Sequence, residues 1–183
     1  TISDLNQEGY IPFNTYTRTS ISVGGNFKSK NGFSYGANMS YSKTNQIGAF
    51  FGENQFDGAA SSFARTLYLG RNWDLNLPFE DPVTKKPVGP NADQFDNPLW
   101  SWKHDQINTE TTRTVAGINL GYKFNDNIST TYRFGYNLYN LDRNQIRDLG
   151  SRADSGLGSL TYDGFKNEDI ESTLLFNFNY RLS

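Results

Sequence analysis

The chain has 183 residues, a net charge of −2 and no cysteine. That length allows one domain with its own core. The charge leaves no electrostatic footprint for nucleic acid, and the missing thiols exclude disulfides, thiolate catalysis and Cys-zinc sites together. Hydrophobic residues make up only 36 % while aromatics reach 15 %, mainly Phe and Tyr. Such a balance suits a β protein whose apolar residues occupy one face, outer-membrane barrels among them.

No run of about 18 apolar residues occurs, so no transmembrane helix is expected. The chain opens Thr1-Ile2-Ser3-Asp4 and shows no signal peptide. It reads as a soluble protein, a processed form or an internal piece of a longer one.

Residues 1–16 carry no sustained period and are punctuated by Gly9 and Pro12, which reads as loop. From about 18 to 28 an alternation begins, with Ile21, Val23, Gly25 and Phe27 opposite Ser20, Ser22, Gly24 and Asn26. Side chains of a strand alternate faces with period 2, so this is a strand with one apolar wall and one polar wall. Asn31-Gly32 follows, the strongest short hairpin signal. The return strand, about 33–42, places Phe33, Tyr35, Ala37, Met39 and Tyr41 against Ser34, Gly36, Asn38 and Ser40.

The pattern then fails over residues 43–111, which hold every tryptophan and every proline but Pro12, with a helical turn expected near 61–67. A connection this long inside a compact domain is unusual unless it is functional. A third strand is expected over about 112–124, with Thr114, Ala116, Ile118, Leu120, Tyr122 and Phe124 on one face. After the turn Asn125-Asp126-Asn127, a fourth over about 128–139 aligns Ile128, Thr130, Tyr132, Phe134, Tyr136 and Leu138. A polar stretch, 140–169, precedes a fifth over about 170–182, with Ile170, Leu174, Phe176, Phe178, Tyr180 and Leu182 together.

The expected fold is therefore all-β, an antiparallel section of about five long strands from a large transmembrane barrel. Antiparallel strands put every tight turn at one end and every long loop at the other, the layout of short periplasmic turns and long extracellular loops. Arg113, Lys123, Arg133, Glu171 and Arg181 all fall on the polar wall. Arg113, Arg133, Asn38, Asn119, Asn137, Asn177 and Asn179 are the expected lumen-facing residues. Phe27, Phe33, Tyr41, Phe124 and Tyr180, near strand ends, would form interfacial girdles. Five strands leave two open edges whose N–H and C=O groups find no partner in lipid, so the chain is expected to be part of a larger barrel.

Several phrases resemble the barrel region of the SusC/RagA family of TonB-dependent outer-membrane transporters of Bacteroidetes. They are Gly9-Tyr10-Ile11-Pro12 leading to Tyr16-Thr17-Arg18, Asn97-Pro98-Leu99-Trp100 late in a long loop, and Arg113-Thr114-Val115-Ala116-Gly117 with Leu120-Gly121-Tyr122 and an aromatic return strand. The resemblance implies localisation in the outer membrane and energised import of oligosaccharides or peptides through a barrel of about 22 strands closed by a plug. It also implies two partners, a SusD-like surface lipoprotein as lid and the TonB complex acting on the plug. Neither a plug nor a TonB box is found in this stretch, which most resembles the early to middle barrel.

Nothing in the sequence points to an enzyme, a cofactor or a bound metal. His104, the single histidine, reads as a solvated loop residue, since acid–base work needs a positioned partner. Asp81, Asp93, Asp96 and Asp105 match no calcium-loop spacing and read as solvated acids. Trp73, Trp100 and Trp102 are the candidate substrate or partner contacts, because indole faces stack on sugars and anchor interfaces. The competing role is packing of the loop against itself. Arg65 and Arg71 are candidates for carboxylates or carbonyls of a peptide. Asp142, Arg143, Arg147, Asp148, Arg152 and Asp154 give the second loop mixed charge, solvated or facing a lid. The alternative to an importer section is a soluble or surface-attached carbohydrate-binding β module; a passive or assembly barrel is a third reading.

Overall fold

The computed structural model describes residues 1–49, 66–67, 69–89, 96–152 and 156–179. Six strands form one antiparallel sheet in the order β1-β2-β3-β4-β5-β6, each paired with its neighbours in sequence. They are β1 (Ile2–Glu8), β2 (Thr15–Lys28), β3 (Phe33–Ala49), β4 (Gln106–Lys123), β5 (Ile128–Arg147) and β6 (Ser159–Phe178). A helix, α1 (Pro98–His104), leads into β4. The sheet is open, with β1 and β6 at its edges.

The register bears out the alternation read from the sequence. Phe27, Tyr35, Leu120, Tyr132 and Leu174 lie in one cross-strand row, and Val23, Met39, Ala116, Tyr136 and Ile170 in another. Asn26, Gly36, Asn119, Arg133 and Thr173 form a row on the opposite face. The apolar face has no covering layer among the described residues: Val23, Phe124, Ile170 and Phe178 are among the large apolar side chains left exposed on it.

Both expected tight turns form at the same end. Gly32 takes φ +81 and its carbonyl accepts from the Lys123 amide, 2.9 Å, so the β2–β3 turn is sewn onto β4. A Cβ at that position would overlap the Lys123 carbonyl oxygen. At the β4–β5 turn Asn125 Oδ1 accepts from the Asn127 and Ile128 amides, each 2.8 Å. Phe27 and Tyr35 (5.2 Å between centroids) and Tyr122 and Phe124 (4.8 Å, edge-on) form an aromatic belt at this end.

The strands outrun their expected ends away from these turns. β3 continues to Ala49, β4 starts at Gln106, β5 reaches Arg147 and β6 starts at Ser159, so the long connections are 50–105 and 148–158 rather than 43–111 and 140–169. These extensions are polar on both faces, as in Lys43-Thr44-Asn45-Gln46, which removes the contrast that period 2 relies on. Main-chain pairing holds them: Asn45 opposes Glu110, and Glu110 opposes Asp142. β1 replaces the expected opening loop for the same reason, since Asp4, Asn6 and Glu8 share one face with Thr19, Thr17 and Thr15. Tyr180, Arg181 and Leu182 lie outside the described residues, and of the turn expected near 61–67 only Thr66 and Leu67 are described, both helical.

Candidate functional site

The buried part of the molecule is not under the sheet but at its long-loop end. Asn97 caps α1, its Oδ1 accepting from the Leu99 amide at 3.0 Å, with Pro98 in the first helical turn where a missing N–H costs nothing. The helix turns Trp100 and Trp102 inward. Trp102 packs with Ile11, Ala49 and Leu99, and Trp100 is 0 % exposed. The Trp100 indole N–H donates to the Lys85 carbonyl at 2.8 Å and its ring stacks on His104 at 4.5 Å. Lys85 adopts φ 60 at the tip of a small turn that Asp81 closes, accepting from the Val83 and Thr84 amides.

Around this helix the two long connections are tied together. His104 sits between two carboxylates, Nε2 facing Glu80 and Nδ1 facing Asp148, both at 2.8 Å. Lys103 reaches Glu80 at 2.7 Å and Lys85 reaches it at 3.2 Å. The His104, Lys103 and Lys85 donors hold the Glu80 carboxyl down at about 2. Asp105, 3 % exposed, accepts from Ser151 Oγ at 2.7 Å and from the Asp148 amide at 3.1 Å. Burial nevertheless pushes its carboxyl up to about 6. Asp96 accepts from the Arg152 amide at 2.8 Å and faces its guanidinium at 3.4 Å.

Several expectations change here. Trp100 and Trp102 are covered, Trp100 within the loop and Trp102 against Ile11 and Ala49, and present no face to a ligand. Trp73 is half-buried, its indole N–H without a hydrogen-bond partner among the described residues, and Arg71 is exposed nearby; Arg65 lies outside the described residues. His104, Asp96 and Asp105 are not solvated but bonded inside the clasp, because the β5–β6 connection folds over them. Asp81 closes a turn, and Asp93 and Asp154 are outside the described residues. Asp142, Arg143 and Arg147 belong to β5 instead of a loop. Among the described residues no group of His, Asp or Glu is placed to hold a metal ion.

On the polar face Arg113, Arg133, Asn38, Asn119, Asn137 and Asn177 share one side by register, and the Asn179 amide bonds to the Asn127 carbonyl at its foot. Arg113 Nε donates to Asn137 Oδ1 at 3.2 Å, and Asn137 Nδ2 donates to Asp169 at 3.1 Å, a relay across three strands. Higher on the molecule a cleft of about 590 Å³ opens between the strand extensions and the β1–β2 turn, with Tyr16, Gln46, Thr109 and Arg143 in its lining. The sequence pattern missed this cleft, and missed Glu80 and Ser151 as loop anchors. Only Asn97-Pro98, a cap followed by a first-turn proline, signalled the helix that organises the clasp. No protein-family model matches the chain, and no curated protein sequence matches it either.

Proposed function

We propose that the chain is a section of wall of a transmembrane β-barrel, belonging to an outer-membrane importer of the SusC/RagA type. The carrying observation is the uncovered apolar face. Along β5 it runs from Ile128 to Leu138, and no charged residue shares those rows until Glu168 at the top edge. Ten residue-to-residue steps at about 3.4 Å each, tilted by about 40° as barrel strands are, give a band about 26 Å tall against the ~25 Å of barrel proteins. The other face at the same height carries Ser, Asn and Gly with Arg113, Arg133, Asp169 and Glu171, a wall suited to a wet lumen. All long connections lie at one end, as extracellular loops do.

In this reading the aromatic belt around Phe27, Tyr35, Tyr122 and Phe124 sits at the periplasmic interface. The clasped loops form the outer mouth, where a SusD-like lipoprotein would close over an oligosaccharide or peptide and the TonB complex would act through a plug. The carbohydrate-binding-module alternative needs a second layer over the apolar face.

Membrane fractionation decides between them. The importer reading expects the protein in the outer membrane, resistant to alkaline extraction and released only by detergent. Recovery in the aqueous fraction as a folded monomer would overturn it.

A further inference from the structure

At the level of the cleft, Gln7, Tyr16, Gln46, Thr109, Arg143 and Asp163 oppose one another in sequence, forming one row across all six strands on the polar face. All but Asp163 line the cleft. Strands lie about 4.8 Å apart, so the row from Gln7 to Arg143 extends about 19 Å. It offers two amides, a phenol and a hydroxyl, groups that both donate and accept, and ends on a guanidinium. Arg143 Nε is buried and has no hydrogen-bond partner among the described residues. The nearest carboxylate in the row, Asp163, instead accepts from Gln145 Nε2 at 3.1 Å. A buried donor is expected to have a partner, and a guanidinium fork matches a carboxylate.

We infer that this row is a binding site for an extended polar oligomer carrying a carboxylate, with the carboxylate seated at Arg143. The uncharged groups from Gln7 to Thr109 hold the rest of the oligomer by hydrogen bonds. The class of ligand rests on the importer reading, whereas the site itself does not. The same chemistry is presented by the uronate of an acidic oligosaccharide and by the C-terminus of a peptide.

The test is calorimetric binding to the intact protein in detergent, or in buffer if none is needed. Four probes are used: trigalacturonate, neutral maltotriose, tetra-alanine with a free C-terminus, and tetra-alanine amide. The expected result is that at least one acidic probe binds ten-fold or more tighter than its neutral counterpart, with the preference fading at high salt. Arg143→Gln should erase that preference, Arg143→Lys should keep part of it, and Arg113→Gln, on the same face outside the cleft, should leave it whole. A preference in the sugar pair alone names the saccharide source, and one in the peptide pair alone names the peptide. No acid preference in either pair, or a preference that survives Arg143→Gln, overturns the inference. Arg143-dependent binding by a protein that needs no detergent would sink the importer reading and leave the site standing. A detergent-requiring protein without acid preference would do the reverse.

Discussion

The sheet and the loop clasp treat the same residue types in opposite ways. In the sheet, Phe and Tyr stand exposed in rows and few side chains are covered, while at the long-loop end two tryptophans are buried and the acids beside them are bonded. An isolated water-soluble domain buries its aromatics where its strands are. Here the strands bury almost nothing and the connections carry the core. Under the proposed barrel reading the difference corresponds to two solvents: water at the loop end, and a medium that itself covers the apolar face along the sheet.

The largest expected effect comes from emptying the loop core. Trp100→Ala should destabilise the clasp by about 3–5 kcal/mol, as large-to-small core changes do. Hydrogen exchange should show lost protection at residues 79–89 and 96–105 with the β2–β3 hairpin unchanged. A uniform loss across both regions would mean that they are one cooperative unit.

Next, neighbouring residues on opposite faces of β4 test whether the two faces meet different media. Ile118 lies mid-band on the apolar face and Asn119 on the polar face. Ile118→Arg should cost about 2–4 kcal/mol in folding into lipid vesicles, whereas Asn119→Arg should cost far less. Equal tolerance would deny that the apolar face meets lipid.

Asp105→Ala leaves Ser151 and the Asp148 amide without their acceptor, and should loosen the β5–β6 connection by about 1–3 kcal/mol. Limited proteolysis near residue 150 reads this directly, and cleavage no faster than in the parent protein would show that the link is dispensable.

The smallest effect is on pH. Asp105 is raised to about 6, chiefly by burial, with Asp96 also raising it and Ser151, the Asp148 amide and Arg147 opposing. Folding therefore favours its protonated form, and this stabilisation is full below its unfolded value and lost as pH rises through about 6. Glu80, lowered to about 2, works the other way: its contribution is present above its unfolded value and lost as pH falls toward 2. Protection of residues 148–152, corrected for intrinsic exchange, should fall modestly between pH 4.5 and 7.5. An unchanged fall in Asp105→Asn would assign it to another group.

The apolar rows of the sheet were legible because strand side chains alternate faces and one face is apolar throughout, and Phe33 through Tyr41 shows it residue by residue. Above the band both faces are polar, so Thr109, Glu110 and Thr111 carry no period although they pair in register. The clasp was hidden for a different reason. Glu80, His104 and Asp148 are far apart in sequence and meet only through loop folding, for which no periodicity exists. Trp100 was visible as an important residue, but its burial depended on neighbours that sequence alone does not place.

The unequal connections also set the order of assembly. The β2–β3 and β4–β5 hairpins close over residues 29–32 and 124–127, whereas β3 and β4 must meet across 50–105. Closing that span costs about 2 kcal/mol more in chain entropy than a four-residue turn, so the two hairpins form first and their union is the slow step. The clasp shortens the free chain between them, because the turn at Lys85 and helix α1 gather it against the start of β4. Refolding followed by stopped-flow fluorescence should slow in Trp100→Ala, and an unchanged rate would show that the clasp closes only after β3 has found β4. The loop clasp at the far end of the sheet then also serves as the guide that brings its two halves into register.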